Sequence, residues 1–166
     1  MYKNGKIAPL MISPGVMIRC PKGSYADTYK GIPTSKTKIN AFLDHSNASQ
    51  AQIYEAICEI HSFLEAHYKK DSIHVNFPMC GAEDGSNSTM FLKFMQSNNG
   101  ILHTKIFKDN KKMELPLQPC MANMGILFSF PFDKERGKIN VQFNISQMII
   151  GEDLLECTLD NELFNG

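Results

Sequence analysis

The stretch SQAQIYEAICEIHSFLEAHYKK, residues 49–70, is the longest run of helical periodicity in this chain, and it organises the predicted fold. Successive residues of an α-helix are turned by about 100°. At that spacing Glu55, Glu59 and Glu65 fall on one side of the helix. The opposite side is an apolar arc of roughly 140°, formed by Ile53, Ala56, Ile57, Ile60, Phe63, Leu64, His67 and Tyr68. An arc this wide predicts a helix that is packed on a sheet, with its N-cap at Ser46, Asn47 or Ser49.

After the helix the apolar residues recur with a period of two, which is typical of β-strands with one buried face. The segment KINVQFNIS, residues 138–146, alternates Ile, Val, Phe and Ile with polar residues. Similar alternation occurs in SIHVNF, TMFLKFMQ, GILHTKIFK and NMGILFSFPF. Asn99-Gly100 is a strong β-hairpin signal between TMFLKFMQ and GILHTKIFK. The sequence therefore predicts a series of adjacent antiparallel strands.

These patterns together predict a single α+β domain over residues 1–166. Its parts are an N-terminal hairpin of two strands, one long amphipathic helix, and then a β-meander, with about seven strands curled around the helix. Residues 21–38, rich in Lys, Gly and Pro, are predicted to form a long basic loop. Residues 152–166 are predicted to form an acidic and apolar tail, in which a short strand followed by a loose end is favoured over a helix.

Composition excludes several function classes. Lys plus Arg equals Asp plus Glu at 17 each, so no overall field favours nucleic acid or an anionic membrane. No apolar run is long enough to span a bilayer or to act as a signal peptide, which predicts a cytoplasmic protein, or one exported by a route that needs no signal. Five widely spaced cysteines argue against a disulfide framework. The preference for Lys, Asn and Ile suggests a bacterial or phage genome.

The main functional prediction is a non-catalytic protein that binds another protein, with nucleic acid an unlikely partner. An accessory subunit of a larger assembly, a secretion-linked chaperone and a toxin- or defence-neutralising protein all fit this prediction. Acidic tails with spaced leucines dock into apolar grooves or pair with sheet edges. The candidate partner-binding residues are Leu155, Leu159, Leu163 and Phe164 of the tail, with Lys30 and Lys36 of the basic loop. The alternative for the tail residues is that they close the protein's own core.

The second hypothesis is a small cysteine-dependent hydrolase or transferase. Cys80 lies in a glycine-containing loop, and His74 or His103 could lower the pKa of its thiol, with Glu83 or Asp84 orienting the histidine. The competing interpretation is a cysteine that acts as a small hydrophobic residue. Cys58 and His61 have a spacing that could hold a metal ion, but the sequence offers no second ligand pair. No metal and no cofactor are predicted.

The third hypothesis is nucleic-acid binding through the Lys105–Lys112 hairpin. Lys105, Lys108, Lys111 and Lys112 surround Phe107, which combines phosphate contacts with a stacking ring. Lysines on an exposed hairpin also protect sheet edges, and the neutral overall charge counts against binding.

Overall fold

The structure is a computed structural model, and it describes residues 10–12 and 15–154. One α-helix, α1 (Ala48–Tyr68), is followed by a short 3-10 turn (Lys69–Asp71). The strands before the helix are β1 (Leu10–Ile12), β2 (Ile18–Cys20), β3 (Ser24–Tyr29) and β4 (Ile32–Asp44). Those after it are β5 (His74–Asn76), β6 (Met79–Gly81), β7 (Asn87–Phe94), β8 (Lys105–Lys108), β9 (Lys111–Lys112), β10 (Cys120–Ser129), β11 (Phe132–Asp133), β12 (Lys138–Asn140) and β13 (Gln142–Asp153).

Five of these strands close into a barrel. Their order around the ring is β2-β4-β7-β13-β10, and β10 pairs again with β2. The first four barrel strands in the chain have the spatial order β10-β2-β4-β7, which is a Greek key. A five-stranded Greek-key barrel is an OB-fold. The interior is filled by alternate side chains of the long strands, among them Leu92, Ile126, Phe128, Phe143 and Ile145.

The fold class is confirmed, since one helix packs against a large sheet, but the purely antiparallel meander is wrong. β13 pairs in parallel with both β7 and β8, and β12 pairs in parallel with β5. The predicted turn at Asn99-Gly100 does form, with Gly100 N–H donating to Ser97 O at 2.9 Å. Beyond the bridge between Gln96 and Leu102, the two arms stay hydrogen-bonded as far as Met95, whose carbonyl oxygen accepts from His103 N–H at 2.6 Å. The arms then separate, and β8 pairs with β13 instead. A local turn signal could not show this, because the pairing depends on a strand 40 residues further along.

The predicted basic loop over residues 21–38 is also wrong, because this segment forms the β3–β4 hairpin. Its two-residue turn is Lys30-Gly31, with positive φ angles of 52° and 80°. Tyr29 and Ile32 are paired across the turn, and both side chains are largely exposed. The segment lacks the usual strand pattern because much of the hairpin is exposed on both faces.

The helix is confirmed almost to the residue, with Asn47 as the N-cap accepting from Gln50 N–H at 3.1 Å. Its buried stripe is narrower than the sequence predicts. Ile53, Ile57 and Leu64 are buried, whereas Phe63 is 70% exposed and His67 is also exposed. The reason is that α1 makes most of its contacts with one strand of the large sheet, β4, and with β5 of the small sheet.

Within the part of the chain that the structure describes, no helix is long and apolar enough to cross a membrane. The predicted tail begins inside β13, which continues to Asp153, and Leu154 is buried. Residues 155–166, which carry the predicted short strand, lie outside the described residues.

Candidate functional site

A row of outward-facing side chains crosses five adjacent strands of the large sheet, four of which belong to the barrel. Tyr25 of β3 is paired with Lys38 of β4, which is paired with Lys93 of β7. Lys93 is paired in turn with Asn144 of β13, and Asn144 with Leu127 of β10. Side chains alternate between the two faces of a strand. On β7, β10 and β13 both neighbours of these residues are buried in the barrel, and on β4 Ile39 beside Lys38 is buried. The row therefore lies on the outer surface, although its members are distant in the sequence.

A groove with a volume of about 570 Å³ follows this row. Three lysines line it: Lys36 and Lys38 from β4, and Lys93 from β7. Asp27 of β3 is the one carboxylate among the lining residues that the structure describes. The other polar lining residues are Thr37, Gln96, His103, Ser129, Gln142 and Asn144. The groove therefore carries an excess of positive charge in a protein that is neutral overall.

The three lysines differ in how they are held. Lys36 Nζ donates to the carbonyl oxygens of Gln96 and Ser97 at 2.7 and 2.8 Å, which ties the hairpin to the segment after β7. Lys38 Nζ forms an ion pair with Asp27 Oδ1 at 3.0 Å. Within residues 15–154, Lys93 forms no ion pair. Burial lowers the pKa of Lys93, and the positive charge of Lys38 lowers that pKa further. Lys93 is thus a cation in the middle of the groove that forms no ion pair with these residues, although the more distant Asp27 carboxylate acts to raise its pKa.

Two aromatic side chains lie on the same outer face, towards the other end of β4 and β7. Phe91 is paired with Asn40, and Phe42 with Thr89, so the two rings are on adjacent strands. Both rings are half-buried and line a shallow pocket of about 200 Å³. Arg19 of β2 is paired with Phe42 and adds a further cation at this end. On such a sheet, the cations can contact phosphates while the aromatic rings beside them stack on bases.

Comparison with known proteins shows a similarity of fold to several solved structures. No protein-family model matches the chain, and neither does any curated protein. Among solved structures, gp2.5, the single-stranded DNA-binding protein encoded by bacteriophage T7, has a TM-score of 0.58 at 11% identity, covering 86% of both chains. The chain shares its fold with single-stranded DNA-binding proteins of bacteriophages.

The protein from bacteriophage Enc34 gives the same result in two structures. Its C-terminally truncated form has a TM-score of 0.57 at 14% identity, covering 92% of this chain and 88% of that one. Its complex with single-stranded DNA has a TM-score of 0.58 at 13% identity, covering 92% and 89%. All of these identities are low, so the similarity is one of fold.

This similarity contradicts the main functional prediction, which was a protein-binding accessory subunit, chaperone or neutralising protein with nucleic acid as an unlikely partner. The nucleic-acid hypothesis agrees better with the structural neighbours. The physical reason for the error is that an overall charge of zero says nothing about where the charges lie. Lys38 and Lys93 are 55 positions apart in the sequence, and only the β4–β7 register brings them together.

The structure places the predicted partner-binding residues in different surroundings. Lys36 lies in the groove, whereas Lys30 lies at the hairpin tip with its Nζ 5.4 Å from the centre of the Tyr29 ring. Leu155, Leu159, Leu163 and Phe164 are outside the described residues.

The predicted catalytic residues are not assembled. Cys80 is paired with Thr89 beside the aromatic pocket, His103 lines the lysine groove, and His74 lines a third groove next to the C-terminal end of α1. Among residues 15–154 neither histidine shares a contact or a groove with Cys80.

The Lys105–Lys112 hairpin forms as β8 and β9 but lies away from the groove. β8 pairs with the second half of β13, where Lys105 is paired with Gln147. Lys108 is neutralised by Asp153 at 2.9 Å, and the other three lysines are exposed.

No metal site accompanies these features. In the described ranges, no group of three or more His, Cys, Asp or Glu side chains could hold a metal ion. His61, which the sequence analysis considered with Cys58, instead has its Nε2 at 2.8 Å from Val75 O and its ring stacked on Phe77. It therefore joins α1 to β5.

Sequence reasoning missed Tyr25, Lys38, Phe42, Phe91 and Lys93. One signal was available: Phe91 and Lys93 alternate with the buried Met90, Leu92 and Phe94, which marks them as outward-facing. The pattern assigns them to a face, but it does not say which strand lies beside them.

Proposed function

We propose that this protein binds single-stranded DNA across the outer face of β4 and β7. The phosphates contact Lys36, Lys38 and Lys93, and bases stack on Phe42 and Phe91. The observation that carries the proposal is the row in which Lys38 and Lys93 lie side by side, next to these aromatic rings. β4 and β7 are the second and third strands of the barrel, the face that OB-folds use for oligonucleotides.

The composition of the face favours single strands over duplex DNA. A base can stack on Phe91 only if it is unpaired, and each stacked base contributes roughly 1–3 kcal/mol. Every base has such a face, so the expected binding is tolerant of sequence. A cytoplasmic location agrees with this proposal if the gene is bacterial or phage-encoded, since DNA is then replicated in the cytoplasm.

The test is fluorescence anisotropy with a labelled oligothymidine of about 16 nucleotides, near the upper end of the footprint of one OB-fold. The protein is expected to bind this strand and to bind the same strand much more weakly after it is annealed to its complement. Phe91→Leu keeps an apolar side chain but removes the ring. It should lose most of one stacking interaction, roughly 1–3 kcal/mol.

The control is the hairpin that the sequence analysis favoured for nucleic acid. Lys111→Met and Lys112→Met remove two exposed cations of β9 that lie outside the groove. They are expected to leave the affinity almost unchanged. A larger loss from these variants than from Phe91→Leu would move the interface to β8 and β9. Equal affinity for single and double strands would contradict the proposal.

A further inference from the structure

Asp27 is a negative charge inside a groove that is otherwise positive. Its Oδ1 lies 3.0 Å from Lys38 Nζ, and both side chains are largely shielded from solvent, at 22% and 28% exposure. Lys38 is paired with Lys93 across the β4–β7 ladder, so the ion pair occupies the centre of the row. An anion that bridges Lys38 and Lys93 would lie beside the Asp27 carboxylate.

The β3–β4 hairpin positions the Asp27 carboxylate beside Lys38. The β3–β4 pairing shifts register at this point, because three residues of β4, 34–36, lie opposite the single residue Asp27 of β3, which is a bulge in β4. Bulges are common next to functional sites, where they redirect a side chain. The hairpin around Asp27 is also fixed, because Lys36 and Thr37 of the opposite strand are hydrogen-bonded to Gln96.

We infer that Asp27 acts as an internal competitor of the DNA phosphate. In the free protein it neutralises Lys38, and a phosphate must displace it to bind there. Lys93, which forms no ion pair within residues 15–154, provides the first phosphate contact, and Lys38 joins once Asp27 has been displaced. Asp27 thereby limits affinity and speeds the release of the strand. This inference rests on the proposed function and concerns how that same site is regulated.

The test compares two carboxylates that are paired with lysines in the same way. Asp27→Asn removes the pair in the groove, and Asp153→Asn removes the 2.9 Å pair with Lys108 at the far end of β13. Both variants raise the net charge by one, so any difference between them reflects position. Asp27→Asn is expected to bind the oligothymidine about tenfold more tightly at low salt, which corresponds to about 1.4 kcal/mol. Asp153→Asn should bind like the unsubstituted protein.

Salt dependence gives a second measurement. Each lysine that neutralises a phosphate releases cations condensed on the strand. If Asp27→Asn frees Lys38 for one additional phosphate contact, the slope of log K against log salt should become steeper by about 0.7. The strand should also dissociate more slowly. In the Asp27→Asn background, Lys38→Met should abolish the gain, whereas Asp27→Glu alone should keep the original affinity. Circular dichroism of each variant is the control for correct folding.

The outcomes separate the two claims. If the unsubstituted protein binds single-stranded DNA but folded Asp27→Asn binds no more tightly, the competitor role is wrong and Asp27 only positions Lys38. Tighter binding by Asp153→Asn rather than Asp27→Asn would also overturn the inference. If the unsubstituted protein does not bind single-stranded DNA, the proposed function fails and the inference fails with it.

Discussion

Lys93 is held in a place that is unfavourable for folding and favourable for an anion. Partial burial and the neighbouring Lys38 both lower its pKa, which means that its charged form is destabilised in the folded protein. Such strain at a binding site is a common reason why substitutions there increase stability while reducing function. A bound phosphate would relieve the repulsion between Lys38 and Lys93.

Lys93→Met should therefore change stability and binding in opposite directions. It removes the charge but keeps the alkyl chain. Because solvent partly screens this half-exposed charge, we expect the thermal midpoint to rise by only about 1–2 °C, roughly half the shift that corresponds to 1 kcal/mol in a domain of this size. The affinity for oligothymidine should fall about tenfold, or about 1.4 kcal/mol. Thermal melts followed by circular dichroism and anisotropy titrations measure the two effects. Lys111→Met is the matched control and should alter neither, and a lower midpoint for Lys93→Met would contradict the interpretation.

The β3–β4 hairpin begins with a close backbone contact at Gly23. Gly23 has a positive φ of 63°, and its N–H donates to Cys20 O at 3.3 Å. A Cβ at this position would overlap the backbone from Leu117 to Pro119. The next residue, Ser24, is hydrogen-bonded to the Leu117 backbone through both its N–H and its side chain. The hairpin that supplies Asp27, Lys36 and Lys38 is thus anchored to the segment that precedes β10.

Gly23→Ala and Gly31→Ala separate backbone strain from crowding. Both positions have positive φ, which costs a non-glycine residue roughly 1–2 kcal/mol. Around Gly31 nothing lies within 4 Å of an added Cβ, so this variant should lose only that amount. Gly23→Ala should lose about 1–3 kcal/mol more through overpacking. Urea denaturation measures the difference in the free energy of unfolding. Equal losses would show that the backbone around Gly23 can move to accommodate the added methyl group.

Sequence patterns predicted those elements whose residues carry their own periodicity. The helix followed from a 3.6-residue period, and β7, β10 and β13 followed from alternation of buried and exposed residues. The β3–β4 hairpin was missed because its tip is exposed on both faces and therefore shows no alternation. The groove was missed because it consists of pairings between distant strands. A single sequence contains the outward-facing lysines, but it does not contain the register that groups them.

The four cysteines among the described residues lie in three environments, so their reactivity can report which face a bound ligand would cover. Cys20 and Cys120 are buried, Cys58 is half-buried on α1, and Cys80 is exposed beside the aromatic pocket. Thiol alkylation requires an accessible thiolate, so Cys80 should react fastest.

Bound oligothymidine should protect Cys80 and leave Cys58 unaffected. The measurement is the rate of alkylation of each cysteine-containing peptide by mass spectrometry, with and without a saturating oligonucleotide. Protection of Cys80 alone would locate the strand on the β4–β7 face. Protection of Cys58 to the same extent would instead indicate a general tightening of the protein. An unchanged rate at Cys80 would contradict the proposed path of the DNA.

β13 closes the barrel by inserting between β7 and β10, and this has a consequence for biosynthesis. Until residues 142–153 have been made, β7 and β10 each present an open edge and the apolar side chains destined for the interior remain uncovered. Pairings between strands so far apart in the sequence form slowly, and unpaired edges promote aggregation. The protein therefore cannot complete its core while the ribosome is still translating β10. Its yield in cells should depend on how quickly the last barrel strand follows, and on chaperones that hold the incomplete sheet during that interval.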